Sequence, residues 1–307
     1  MNQTLWGIDL GGTKIEGVIF NSIDDARPLL RLRIDTEATK GYDHILKQIA
    51  ILVSNLRQQS GLKPERIGIG TPGVLDPVLK TMKNCNTTSL NGRALDKDLE
   101  YQLGLPIVLA NDANCFALAE TKWGAVKQNG LPGQLVFGII LGTGVGGGLV
   151  VNGKIWSGFH GIAGEWGHNF LDESGGACYC GKTGCVETVI SGPALEKYYT
   201  GLTGNSVRLH EIASRGQQHS DDAAIKTIER LCYYFGKGVA SVVNVLDPDT
   251  IVIGGGVGNI GAIYQEGIAS LKKFIFNDRA DVPVLKPMMG DSAGVFGAAA
   301  IDARNPT

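Results

Sequence analysis

Gly7-Ile8-Asp9-Leu10-Gly11-Gly12-Thr13, continued by Gly17-Val18-Ile19-Phe20, has a near copy about 131 residues further on: Gly138-Ile139-Ile140-Leu141-Gly142-Thr143-Gly144, continued by Gly148-Leu149-Val150-Val151. Each copy reads as a buried strand, a tight glycine–threonine turn and a second strand. Two copies of one supersecondary unit predict two similar domains, each offering a glycine hairpin to a shared cleft. A match this short also arises by chance, so the rest of the chain has to support it.

Outward from the two copies, strand and helix signals alternate. Residues 4–10 and 15–20 flank the first turn as strands, and 134–141 and 148–151 flank the second. A helix is predicted over 43–60, with Ile45, Ile49, Leu52, Val53 and Leu56 on one face and Gly61 ending it. Short strands are predicted over 66–70, 106–110 and 250–253, with Thr71-Pro72-Gly73 a turn after the first of them. The strand 106–110 runs into a helix over 113–123. A long helix over 223–246 carries Ile225, Ile228, Leu231, Cys232, Phe235 and Val239 at helical spacing, and Asp247-Pro248-Asp249 stops it. Ser292 opens a last Ala-rich helix. The pattern is α/β with hairpins.

Composition narrows the class. The 307 residues suit two domains of roughly 150 residues each. Apolar residues at 43% and charged residues at 19% mark a globular chain. Lys plus Arg total 28 against 30 for Asp plus Glu, which argues against a nucleic-acid surface built from bulk positive charge. The 44 glycines are about twice the usual ~7% and follow no collagen-like period, so they belong to turns, close packing and ligand loops. Met1-Asn2-Gln3-Thr4 has no basic region, and Asp9 interrupts the first apolar stretch, unlike a secretory signal. The longest apolar runs, such as Leu135 to Leu141, fall far short of the ~20 residues of a membrane span. A cytoplasmic protein is expected, and its six cysteines then point to metal or catalysis rather than disulfides.

A loop of glycine and threonine can aim several backbone N–H groups and a hydroxyl at one anion. Glycine lets the backbone approach the ligand closely. Either loop alone reads equally well as a plain hairpin turn. The pair, with Asp9 and Lys14 flanking the first, favours a polyphosphate. Two better-known phosphate motifs do not fit. Gly7 to Gly12 has P-loop spacing, but Thr13-Lys14 reverses the required order and leads into a strand. Gly142, Gly144 and Gly147 match the dinucleotide fingerprint, yet a hairpin follows where a helix is needed. A nicotinamide-dependent oxidoreductase is therefore disfavoured.

Asn111-Asp112 follows the apolar strand Val108-Leu109-Ala110 and opens a helix. It reads either as a helix cap or as a functional carboxylate. A helix N-terminus favours an ionised Asp112, and an ionised carboxylate can accept a hydroxyl proton and position the attacking oxygen.

His168, Cys178, Cys180 and Cys185 form a His-x9-Cys-x-Cys-x4-Cys run. Three thiolates and one imidazole make a closed tetrahedral set for a structural Zn²⁺, and Gly181 and Gly184 allow the tight wrap. A redox thiol group is the alternative. Cys85, Cys115 and Cys232 are isolated. Glu165 and Glu187 flank the run and read either as polyol-binding carboxylates or as ordinary exposed glutamates.

The ordered set resembles the ROK family of bacterial sugar kinases and repressors over essentially the whole chain. The resemblance rests on residues 9–14, Asn111-Asp112-Ala113-Asn114, residues 141–146, Gly164-Glu165-Trp166-Gly167-His168, residues 178–187 and Val252-Ile253-Gly254-Gly255-Gly256. It implies an actin-like (ribonuclease-H-like) ATPase fold of two similar α/β domains around a cleft. The smaller would span 1–115 plus a C-terminal helix at about 292–307, and the larger 116–291. It implies Mg²⁺- and ATP-dependent phosphorylation of a hexose at its 6-hydroxyl, in a homodimer with neither nucleic acid nor membrane as partner. Asp112 would be the base, and Asp9 would act near Mg²⁺. Gly11, Gly12, Thr13 and Lys14, with Gly142, Thr143 and Gly144, would hold phosphates, and Gly254, Gly255 and Gly256 would lie near the adenosine. Gly73, Asn111, Glu165, His168 and Glu187 would contact the sugar, with His168 also a zinc ligand alongside Cys178, Cys180 and Cys185. Residues 83–92, with 96–99 and 165–169, resemble fructokinases that also accept mannose, so fructose is the expected hexose. Residues 114–118 and 144–148 resemble N-acetylglucosamine kinases equally, which keeps that sugar as the alternative. A repressor needs an N-terminal helix-turn-helix, and the first strand at Thr4 disfavours one.

Overall fold

A computed structural model describes residues 4–279 and 281–301. In chain order it begins with β1 (Leu5–Leu10), β2 (Lys14–Phe20), β3 (Pro28–Asp35), α1 (Tyr42–Ser60), β4 (Ile67–Thr71), β5 (Val74–Leu75) and β6 (Met82–Lys83). There follow α2 (Leu95–Leu103), β7 (Ile107–Asn111), α3 (Asp112–Lys122), α4 (Ala125–Gln128), β8 (Leu135–Leu141), β9 (Val145–Val151) and β10 (Lys154–Ile155). The remainder is α5 (Val186–Ile190), α6 (Gly192–Thr203), α7 (Leu209–Gln217), α8 (Asp222–Leu246), β11 (Thr250–Gly254), α9 (Glu266–Leu271), β12 (Val284–Leu285) and α10 (Ala293–Ala299).

The duplicated sequence unit becomes a duplicated sheet. One five-stranded sheet has the order β3-β2-β1-β4-β7 and the other β10-β9-β8-β11-β12, so each places its glycine hairpin beside parallel neighbours. In the first, β1 pairs antiparallel with β2 from Leu5 opposite Phe20 to Leu10 opposite Ile15. It pairs parallel with β4, and β4 in turn pairs parallel with β7. In the second, β11 is parallel to both β8 and β12. Parallel order carries the C-terminal ends of β4, β7 and β11 to the points where Thr71, Asn111 and Gly254 stand.

The chain divides into two compact units. The first comprises residues up to Gln134, Gly148–Gly164 and those from Met288 on, and the second Leu135–Gly147 and Glu165–Pro287. The first unit thus extends beyond the expected limit at 115 and takes back a middle segment. The cause is α3, which is buried from Ala113 through Glu120. A Cβ on Gly148 would stand 2.3 Å from the Ala113 carbonyl, and one on Gly297 1.8 Å from the Cys115 carbonyl, so β9 and α10 both press backbone-close on this helix. Gly148 is a strand residue as expected, and β9 starts at Val145, three residues before the expected 148. The last helix runs over Ala293–Ala299 rather than to 307, and 302–307 lie outside the described residues.

In the first unit the face of α1 is as expected, with Ile45, Ile49, Leu52, Val53 and Leu56 at most 1% exposed against Ile8, Ile15 and Ile19 of the sheet. In the second, α8 buries Ile228, Leu231, Cys232, Phe235 and Val239 and leaves Ile225 half-buried. Cys85, Cys115 and Cys232 are buried and free. Among the described residues no helix is long and apolar enough to cross a membrane.

Candidate functional site

The first unit gathers Asp9, the turn from Gly11 to Lys14, Gly73, Asn111 and Asp112. Thr36 fixes the turn: its N–H donates to the Thr13 carbonyl at 2.8 Å and its hydroxyl to the Gly11 carbonyl at 2.6 Å. With those carbonyls committed, the exposed Gly12, Thr13 and Lys14 present N–H groups, a hydroxyl and an ammonium outward. The fully buried Thr71 hydroxyl lies 2.9 Å from the Gly73 carbonyl and 3.2 Å from that of Ala110, which ties the ends of β4 and β7 together. Asn111 caps α3 by accepting the Ala113 N–H at 2.9 Å, which leaves its amide NH₂ for another acceptor. Asp112 is the first residue of α3, and its Oδ1 also accepts the Ala113 N–H, at 2.7 Å.

Asp9 stands at an electrostatically strained point. Burial, and then the carboxylates of Asp112 and Glu16, push its pKa up to about 7 against a partial pull from Arg33. Glu16 is itself buried and is clasped by Arg31 and, at 2.6 Å, by Arg33. A carboxylate that resists ionising beside two others is suited to a cation, which relieves every one of these repulsions. The stability consequence follows from linkage. The unfolded group ionises near 3.8 and the folded group near 7, so stability falls as pH rises between those values and the deficit is complete above 7. Three pH units at about 1.4 kcal/mol each bound that deficit at about 4 kcal/mol. Asp9→Asn is therefore expected to gain stability over the parent in urea unfolding at pH 8 without divalent ions, and much less at pH 4. A difference independent of pH would contradict this.

The second unit gathers the turn from Gly142 to Gly144, Glu165, His168, the cysteine loop, Glu187 and the glycines after β11. The turn closes on itself, the Gly142 N–H donating to Gly144 at 2.9 Å. Glu187 Oε2 accepts the Val145 N–H at 2.9 Å, and the Gly192 N–H donates to the Gly142 carbonyl at 2.8 Å. The buried Trp166 donates its indole N–H to Gly146 at 3.0 Å. The glycine turn is thus stitched to both acidic flanks of the cysteine loop. Glu165 has its pKa raised by burial and by Glu187, with His168 pulling the other way. Gly255 has φ +85°, and a Cβ there would stand 2.2 Å from the Leu141 carbonyl, so only glycine fits. Gly255 and Gly256 are exposed beside the turn's own strand.

The donor atoms of His168, Cys178, Cys180 and Cys185 all lie within 4.8 Å of one another. His168 Nδ1 is 3.7 Å from Cys178 Sγ, and Cys180 Sγ is 3.6 Å from Cys185 Sγ. Metal–ligand bonds of about 2.3 Å to sulfur and about 2.0 Å to nitrogen give tetrahedral edges of about 3.5–3.8 Å. The donor set and its spacing fit Zn²⁺, with Nδ1 as the imidazole ligand.

The sequence assigns no role to several residues of these two groups, although Asn114 and Tyr179 fall within its motifs. The amide oxygen of the buried Asn114 accepts the Leu149 N–H at 3.0 Å and locks the start of α3 to β9. Tyr179 places its hydroxyl 3.0 Å from His168 Nε2, and burial followed by Glu187 pushes its pKa up to about 12. Glu16, Arg31 and Arg33 alternate on paired strands, which only the β2–β3 register brings together.

Two α/β units with repeated sheets and paired glycine hairpins define an actin-like ATPase fold. A hexokinase of the ROK family from Thermus thermophilus shares it with a TM-score of 0.86 at 31% identity, over 97% of each chain. A ROK glucokinase from Streptomyces griseus, solved with glucose and AMPPNP, shares it at 0.76 and 29% identity, over 96% of this chain and 98% of that one. The family model described as "ROK family" matches residues 5–304, and the chain belongs to that family. Within it, the chain is 35% identical over 308 residues to the N-acetyl-D-glucosamine kinase of Histophilus somni, covering 96% of this chain and 98% of the relative. It is 33% identical over 304 residues to the enzyme of that name from Aliivibrio salmonicida, covering 96% and 98%. The chain is a ROK sugar kinase.

Proposed function

We propose that this chain transfers the γ-phosphoryl group of ATP to the 6-hydroxyl of N-acetyl-D-glucosamine. The observation that carries the choice of sugar is the full-length similarity to N-acetylglucosamine kinases at 33–35% identity. Fructose, the sugar favoured by residues 83–92, has no such support among these relatives.

In this reading Asp112 accepts the proton of the attacking hydroxyl. Asn111 turns its free amide to the sugar, and the Gly73 turn shapes the wall beside it. Glu165, His168 Nε2 and the second oxygen of Glu187 take sugar hydroxyls. The N–H groups of Gly12 and Thr13 are the phosphate donors of the first unit and those of Thr143 and Gly144 the phosphate donors of the second, while Gly11 and Gly142 close their turns, and Gly254 to Gly256 leave room for the adenosine. Asp9 is the residue that would hold Mg²⁺, which neutralises charge on the phosphates when bound. His168, Cys178, Cys180 and Cys185 would hold Zn²⁺, which gives the sugar-binding loop its shape.

ADP release with Mg·ATP tests the reading against a panel of N-acetylglucosamine, N-acetylmannosamine, glucose, mannose, fructose and no sugar. The highest kcat/KM is expected for N-acetylglucosamine. A higher value for fructose or glucose would overturn the choice of sugar, and no sugar-dependent ADP at all would overturn the kinase reading.

A further inference from the structure

The cysteine loop folds as a small hairpin. Cys178 donates its N–H to the Lys182 carbonyl at 2.8 Å, Ala177 bridges to Thr183, and Gly181 turns the tip at φ +86°. Tyr179 sits at that tip, with 77% of its surface exposed, and neither packs into the core nor supplies a metal donor. Its ring nonetheless stands edge-on to His168, with centroids 5.2 Å apart at 88°, and its hydroxyl lies 3.0 Å from Nε2. The other ring nitrogen, Nδ1, faces the cysteine sulfurs. With Nδ1 turned to the cysteine sulfurs and held by a metal, the imidazole proton would sit on Nε2, and Nε2–H would donate to the Tyr179 oxygen. The one imidazole donor that points away from the cysteines is therefore already taken by a residue of the same loop.

We propose that Tyr179 is a gate on His168: its hydroxyl holds Nε2–H in the empty site, and a sugar hydroxyl must displace it to bind. The proposal rests on the reading of His168 as a sugar contact. It makes Tyr179 a positioning residue that tunes affinity, because each sugar exchanges one hydrogen bond for another instead of gaining one. A net hydrogen bond in a partly exposed site corresponds to ~2- to 10-fold in affinity.

The test is Tyr179→Phe, which keeps the ring and removes only the oxygen. With zinc content equal to that of the parent, calorimetry with N-acetylglucosamine is expected to show ~2- to 10-fold tighter binding, and KM is expected to fall with kcat unchanged. A second readout needs no turnover: the ¹⁵N-labelled His168 Nε2–H resonance. In the parent it is expected to move on adding sugar. In Tyr179→Phe it starts from an unbonded position and ends where the parent's does. Equal or weaker sugar binding by the variant, with the resonance still responding to sugar, would overturn the gate alone. A resonance unmoved by sugar in both proteins would overturn the gate together with the sugar-contact reading of His168.

Discussion

Asp112→Asn is expected to lower kcat by ~10²- to 10⁴-fold while calorimetric affinities for sugar and nucleotide stay within a few-fold of the parent. The substitution keeps the shape of the first residue of α3 and an oxygen for the Ala113 N–H, so the helix cap survives; Asn111 provides that bond in any case. What is lost is a group able to take the hydroxyl proton. Asparagine also removes one of the charges that raise Asp9, so Asp9 should ionise more readily in the variant. A kcat within ten-fold of the parent would show that the proton leaves by another route, and Asp112 would then be the first residue of α3 and no more.

Stripping zinc, or replacing Cys185 by Ser, is expected to cost sugar binding rather than nucleotide binding. Cys185 is fully buried and precedes α5, whose second residue is Glu187, while His168 lies at the other end of the same loop. One ion held there would fix His168 and Glu187, two of the three groups (with Glu165) proposed to take sugar hydroxyls. Two charge-assisted hydrogen bonds at about 1.5–3 kcal/mol each amount to ~10²- to 10⁴-fold in sugar affinity. The expected readout is one Zn²⁺ per chain by elemental analysis, lost with a strong chelator in step with calorimetric sugar binding. Protein purified reduced and metal-free that binds sugar normally would refute both the metal and its role.

The fold was legible because it is written twice. The two glycine hairpins stand in the sequence with their strands, and the sheet order repeats with them. The helices of α1 and α8 were equally plain, since a single buried face imposes a 3.6-residue period. The limits of the units were not legible. They depend on α3, which is buried all round and so has no contrasting face, and on backbone approaches at Gly148 and Gly297, which the sequence places in a strand and a helix without showing what they pack against. In the site, chemistry with fixed spacing could be read directly, as with the His–Cys run. What could not be read were contacts set by geometry. Asp9 is perturbed by Asp112, a hundred residues away, and by Glu16 opposite it in the strand register. Tyr179 lies beside His168 only because Gly181 turns the hairpin back.

Phosphoryl transfer to a sugar hydroxyl is tested most directly by ³¹P NMR of the products from Mg·ATP and N-acetylglucosamine. A phosphomonoester coupled to the C6 protons is expected, equimolar with ADP. Inorganic phosphate in place of the sugar phosphate, or ATP left intact, would contradict it.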